Sequence, residues 1–239
     1  MTSDVALETL GDAAPRRLRE LARLGPVAQL RAGRLPRRLA QLAVGLVLYG
    51  VTLAMLIRAT LGNASWDVLH QGLASHLPMS IGTAVIVMSL VVLLLWIPLR
   101  EMPGLGTIAN SFVVGLVADA TLRVLAAPDV MWGRALLMAG GVVLNALATA
   151  LYIGSQFGPG PRDGLMTGLH RRTGLSIRVV RTALEVTVVA IGWTLGGVVG
   201  IGTVLYTLAI GPLVQLMLPR FIVELDETSD HSGRIVDPR

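Results

Sequence analysis

Six ionisable residues fall inside or beside long apolar runs, where a charge persists only for a reason: Asp67, Asp119, Asp163, Arg178, Arg181 and Glu185. A charge at a bilayer centre costs about 2.5–3.5 kcal/mol on insertion scales, so it normally faces protein or a water-filled cavity. Arg178, Arg181 and Glu185 sit at i, i+3 and i+7, one face of a helix. Arg181 and Glu185, four apart, have the spacing of a helical ion pair. Arg178 is expected to snorkel to the near surface, and the deeper Arg181 and Glu185 to form a buried pair. Arg181 would favour an anionic group on a substrate, with Asp67, Asp163 and Glu185 as candidate ligands for a proton or ion. Asp119 keeps two readings: it joins a polar cavity with Arg181, or it pairs with Arg123 four residues later.

Asp67 and Asp163 belong to a repeated motif. Gly62-x4-Asp67-x-Leu69-x2-Gly72-Leu73 recurs as Gly158-x4-Asp163-x-Leu165-x2-Gly168-Leu169, an offset of 163 − 67 = 96. The same shift, without a gap, takes Ser80-Ile81 to Ser176-Ile177 and Gly104-x-Gly106-Thr107 to Gly200-x-Gly202-Thr203. It also takes Gly45 to Gly141 and Gly115 to Gly211. Composition alone explains matching Leu and Val, but not Gly, Asp, Ser and Thr in register. Under this shift Arg181 and Glu185 correspond to Val85 and Ser89, and Gln215 to Asp119, so the charge pair belongs to the second copy alone.

The elements that carry these residues are apolar and long. Of 239 residues 53% are hydrophobic and only 15% charged, with mean hydropathy +0.68, whereas soluble domains carry roughly a quarter charged residues. A span needs about 20 mostly apolar residues to cross about 30 Å of hydrocarbon. Six runs qualify, at about 38–58, 80–99, 105–126, 133–154, 177–197 and 201–219. They lack the period-two alternation of a barrel, and helices satisfy their own backbone in lipid, so the expected fold class is all-α, a polytopic transmembrane bundle. Between the first and second spans of each copy lies a polar segment too short to cross, Asn63–Leu77 and then Pro161–Thr173. Each reads as an interfacial or re-entrant half-helix, with Pro161 in a first turn. A carboxylate in that turn is favoured by the helix dipole, which is one reading of Asp67 and Asp163. The other is that the paired broken helices frame a substrate or ion site. Three spans per copy force the second to enter the membrane in the opposite sense, an inverted repeat. The expected divisions are an arginine-rich arm over 1–37, repeat one over 38–126, repeat two over 133–219 and a disordered tail over 220–239.

Charge sets the orientation. All twenty basic residues are arginine, concentrated in the arm and between Arg162 and Arg172, while Gly196 to Gly202 carries none. Both termini are therefore expected in the cytoplasm. The net charge of +5 lies beside spans, so nucleic acid is not expected as a partner. In the arm, Leu18, Leu21 and Leu24 recur every three residues, compatible with a surface-lying amphipathic helix or with a disordered basic tail. The Gly-x-Gly-Thr sequences are read as tight turns with Thr107 and Thr203 as caps, rather than as phosphate cradles. Cysteine is absent, the four histidines form no close pair, and no nucleophile–base pair is evident. No metal, cofactor or enzymatic role is expected.

The run GPGPRDGLMTGL, followed by SIRVVRTALE and VGIGT, resembles the bacterial YczE/YyaS/YitT family of integral membrane proteins, nearest its YczE-like branch, over about residues 38–219. The resemblance implies a multi-span protein of the bacterial inner membrane. Some YitT-type members add a soluble carboxy-terminal domain, in place of which this chain has a short acidic tail. The expected function is a small secondary transporter or solute-binding component, the alternative a non-transporting assembly or regulatory protein. Its expected partners are the bilayer, a small solute of anionic character, and in a candidate homo-oligomer a second copy.

Overall fold

A computed structural model describes residues 25–225. Most of the arginine arm, including Leu18, Leu21 and Leu24, lies outside the described residues, as does the tail from residue 226. The described residues are all-helical, with no strand. After a short α1 (Pro26–Arg31), the chain forms α2 (Leu35–Ala59), α3 (Ser65–His76), α4 (Ile81–Leu99) and α5 (Leu105–Val124), then α6 (Met131–Gly154), α7 (Pro161–Thr173), α8 (Ile177–Thr194) and α9 (Ile201–Phe221). The expected boundary at 219 falls inside α9, and beyond it Ile222 and Val223 are buried, with the Val223 amide donating to the Gly154 carbonyl at 2.9 Å. α2, α4, α5, α6 and α9 are long and apolar enough to cross a bilayer. α8, the remaining expected span, has 18 residues but carries Arg178, Arg181 and Glu185.

The register of the repeat reappears in the helix limits. α6 starts 131 − 35 = 96 residues after α2, and α7, α8 and α9 stand at the same distance from α3, α4 and α5. The repeated serines explain one pair of starts: Ser80 and Ser176 are N-caps, accepting from the amides of Thr83 and Val179. α2 and α6 lie at the centre, with Gly45 against the Tyr152 backbone and Gly141 against Leu56, so small residues allow a close crossing. α5 packs on α2 as α9 packs on α6, and α3 packs on α8 as α7 packs on α4. One correspondence fails. α4 packs along α5, whereas α8 barely touches α9.

The Gly-x-Gly-Thr turns lock the copies together crosswise. At the start of α5, the Gly106 amide donates to the Phe157 carbonyl at 2.8 Å and the Thr107 hydroxyl to the Pro159 carbonyl at 2.7 Å. At the start of α9, the Gly202 amide donates to the Leu61 carbonyl at 2.8 Å. Thr107 and Thr203 also cap their own helices by accepting from Gly104 and Gly200. Each turn thus holds the loop before the other copy's short helix. Those loops bend at Gly62 (φ +115°) and Gly158 (φ +103°), a left-handed region glycine enters without steric cost.

The outer faces of the long helices are apolar, with Leu94, Ile97, Leu116, Leu208 and Leu216 each more than 60% exposed. Side chains of this kind on several helices suit contact with lipid rather than water.

Candidate functional site

Both short helices begin in the interior of the bundle. Asp67, in the first turn of α3, shares a small cavity with Tyr49, Val85, Ser89 and Asn110, residues well inside α2, α4 and α5. That cavity holds about 50 Å³. A larger one, of about 280 Å³, is lined by Asp163 in the first turn of α7, with Arg181 and Glu185 of α8 and Tyr206 and Gln215 of α9. The two are counterparts under the 96-residue shift: Asp67 matches Asp163, Val85 matches Arg181, Ser89 matches Glu185 and Asn110 matches Tyr206. Trp66, Tyr152 and Arg162 line both cavities and so form the partition between them. Trp66 and Arg162 are themselves counterparts, each one residue before its aspartate.

The polar geometry differs between the two sides. The Tyr152 hydroxyl donates to Asp163 Oδ2 at 2.7 Å. Asp67 is buried, its Oδ1 3.3 Å from Nδ1 of the equally buried His70. On the larger cavity's wall the Tyr206 hydroxyl donates to Asn145 Oδ1 at 2.8 Å, and Asn145 Nδ2 donates to Thr52 Oγ1 at 2.8 Å. This chain ties α9, α6 and α2 through buried atoms, where an unpaired amide would be costly. The Arg162 guanidinium carbon lies 5.4 Å from the Tyr49 ring centroid, within cation–π range, and has no carboxylate partner among the described residues.

The residues singled out from the sequence therefore divide. Asp163, Arg181 and Glu185 share the larger cavity, and Asp67 lines the smaller one across the partition. Both aspartates stand in first turns as well as on cavity walls, so the dipole and site readings coexist. Arg181 and Glu185 do pair, Nε to Oε1 at 2.9 Å, but the expectation that they are buried needs correction: their side chains are 49% and 27% exposed. The cause is the gap beside α9, since the matching face of α4 is covered by α5. Arg178 is exposed in the first turn of α8, off the cavity. Asp119 follows neither expected reading. It accepts from the Ser80 hydroxyl and, at 2.8 Å, from the Gly82 amide, thereby satisfying free groups at the start of α4. Among the described residues no three His, Asp or Glu side chains converge as metal ligands.

Arg162, Trp66, Tyr152 and Tyr206 were not singled out from the sequence. Two of them carried a signal. Trp66 and Arg162 occupy the same position of the repeated motif with unlike chemistry, the property that had marked Arg181 and Glu185. Tyr152 and Tyr206 gave none, because aromatic residues in apolar runs are ordinary core.

The profile of a family of unknown function, DUF6198, matches residues 36–219. An uncharacterized protein of Haemophilus influenzae is 41% identical over 177 residues, covering 74% of this chain and 81% of that protein. The uncharacterized membrane protein YczE of Bacillus subtilis is 30% identical over 175 residues, 73% of this chain and 81% of its own length. The uncharacterized protein YyaS of the same organism is 24% identical over 180 residues, 74% and 90% of the two chains. No solved structure matches the chain significantly.

Proposed function

The chain belongs to the DUF6198 family of unknown function, and from that premise we propose that it is a small secondary transporter or solute-binding membrane component. One observation carries the reading: the first turns of two short helices meet at a common partition, with a charged cavity on one side and a smaller counterpart on the other. Broken helices whose ends frame a site between repeats are the arrangement many secondary transporters use. In this reading α8 is a sixth span, made tolerable by the Arg181–Glu185 pair and by Arg178 reaching for the surface, and the three-span copies are inverted. No enzymatic step is part of it.

The orientation follows from charge. Arg171 pairs with Glu101, and Arg172 donates to the Pro98 carbonyl at 2.6 Å, so the arginines of α7 stand at the end where α4 finishes. We place that end, and both termini, in the cytoplasm of a bacterium with the chain in its inner membrane. Because the chain has no cysteine, Arg171→Cys introduces a single thiol. It should resist an impermeant maleimide in intact cells and react after permeabilisation. Ready labelling from outside would reverse the orientation.

For transport, proteoliposomes loaded against a panel of carboxylates and amino acids are expected to exchange at least one solute. Arg181→Ala and Glu185→Gln should each slow that exchange at least about tenfold, equivalent to about 1.4 kcal/mol. Unchanged flux in both variants would remove the pair from the mechanism. The rival reading, an assembly or regulatory membrane protein, draws on the same half-exposed α8 face, which a partner helix or second copy could cover. A stable complex that shields Arg181, with no flux for any solute, would favour it.

A further inference from the structure

We infer that the larger cavity is built for a small zwitterion, its anionic group on Arg162 and its ammonium group on Asp163, with the gap between α8 and α9 as its entrance. This rests on the solute-binding reading above and narrows it. Four charged side chains line the cavity, Arg162, Asp163, Arg181 and Glu185, two of each sign. Arg181 and Glu185 answer each other at 2.9 Å. That leaves Arg162 and Asp163, consecutive residues in the first turn of α7, neither with an opposite charge for partner among the described residues. Asp163 accepts from the neutral Tyr152 hydroxyl, and Arg162, which lines both cavities, lies over the Tyr49 ring of the smaller one without an ion pair to Asp67 there, so each keeps capacity for a charged ligand.

Selectivity follows from placing the two side by side. A simple anion on Arg162 would lie beside the Asp163 carboxylate, and a simple cation on Asp163 beside the guanidinium. Each would meet a like charge in a partly desolvated site, which costs affinity. A molecule carrying both charges a few bonds apart satisfies both residues. Trp66, Ile153 and Met166 supply apolar wall for its remainder. The volume, about 280 Å³, lies near the small end of ligand sites, which run from about 300 to 1,000 Å³.

The entrance follows from the failed correspondence. In the first copy α5 closes against α4, over Val85 and Ser89; in the second, α9 stands away from α8, and Arg181 and Glu185 remain partly exposed. A seam between α9 and the partly exposed α8 opens sideways as well as endwise. The same chemistry is therefore available from two sources, a water-soluble amino-acid-like zwitterion or the phosphoethanolamine headgroup of a membrane lipid.

The test uses the purified full chain. Binding is measured in detergent with alanine, lactate (the same skeleton without the ammonium), alaninamide (without the carboxylate) and O-phosphoethanolamine. The lipid source is read from nanodiscs of phosphatidylethanolamine and of phosphatidylglycerol with identical acyl chains, by counting retained lipid. Alanine or O-phosphoethanolamine is expected to bind at least about tenfold more tightly than lactate or alaninamide. Selective retention of phosphatidylethanolamine assigns the headgroup, and its absence with alanine bound assigns the soluble source. Arg162→Gln and Asp163→Asn should each weaken binding at least about tenfold; the asparagine keeps an acceptor for the Tyr152 hydroxyl. The probe comparison on the unaltered chain stands even where a variant misfolds. Lactate or alaninamide binding as tightly as alanine overturns the zwitterion while leaving a solute site. No binding by any probe and no lipid preference overturns both.

Discussion

Arg38→Met is expected to lower stability by about 3–5 kcal/mol, because it leaves three buried carbonyls without a donor, at about 1–3 kcal/mol each. Arg38 is completely buried near the start of α2. Its Nε donates to the Ser155 carbonyl at 2.9 Å, Nη1 to the Gln29 carbonyl at 2.6 Å and Nη2 to the Gln156 carbonyl at 2.9 Å. The guanidinium also lies 4.2 Å from the Phe157 ring centroid. One side chain thus joins α1, α2 and the loop that runs from α6 into α7. Methionine restores much of the volume but leaves three carbonyls without their donor, and hydrogen bonds to a charged group are worth about 1.5–3 kcal/mol each. The sum exceeds the expected loss because the substitution also removes the cost of burying the guanidinium. Arg38→Lys should recover little, since an ammonium cannot present the fork. Thermal unfolding followed by tryptophan fluorescence reads the effect, and a methionine variant melting with the native chain would refute it. Because the anchored loop leads directly to Arg162 and Asp163, any folded fraction should also lose the solute binding proposed for the larger cavity.

Gly164→Val should be nearly as damaging, by about 3 kcal/mol, the upper end for overpacking a core. Trp96 is 2% exposed, and its indole N–H donates to the Pro161 carbonyl at 2.9 Å. The ring lies so close over Gly164 that even a methyl there would overlap it, so the buried indole would have to shift. The counterpart contact is built the other way round. Gly192 corresponds to Trp96 and Val68 to Gly164, and there the α8 glycine lies directly against the α3 backbone at Val68 and Leu69. Trp96→Ala combined with Gly164→Val imitates that other half. The double variant should recover more than either single, a coupling typical of residues in direct contact. Stability losses that simply add would show that the two positions do not form one packing unit.

The helices were largely legible in the chain. Runs of Leu, Val and Ile broken by Gly and Pro marked the long helices to within a few residues, and Pro161 marked the start of α7. The register of 96 was equally plain, because Ser80 and Ser176 cap helices and Gly62 and Gly158 turn loops wherever the copies stand in space. Such roles depend on local backbone geometry, which sequence spacing encodes. The site was legible only in part. Asp163, Arg181 and Glu185 were found as costly charges on apolar helices and do share a cavity. Asp119 looked equally costly and serves as a helix cap for α4, because its partner Ser80 is 39 residues away.

The amino-acid sequence alone therefore determined an all-helical, apolar chain of two related copies and three of the four charges that line the larger cavity. Tertiary structure alone decided which charges are already answered. Arg181 finds Glu185 one turn along its own helix, a pairing readable from spacing. Arg162 and Asp163 are consecutive, and nothing local says whether other helices bring them counter-charges. The copies are also joined crosswise, each turn holding the other copy's loop, and only that packing places Trp66 and Arg162 at one partition. The physical reason is range: caps, turns and i to i+4 pairs act within a few residues, whereas a cavity's charge balance sums contributions from helices far apart in the chain.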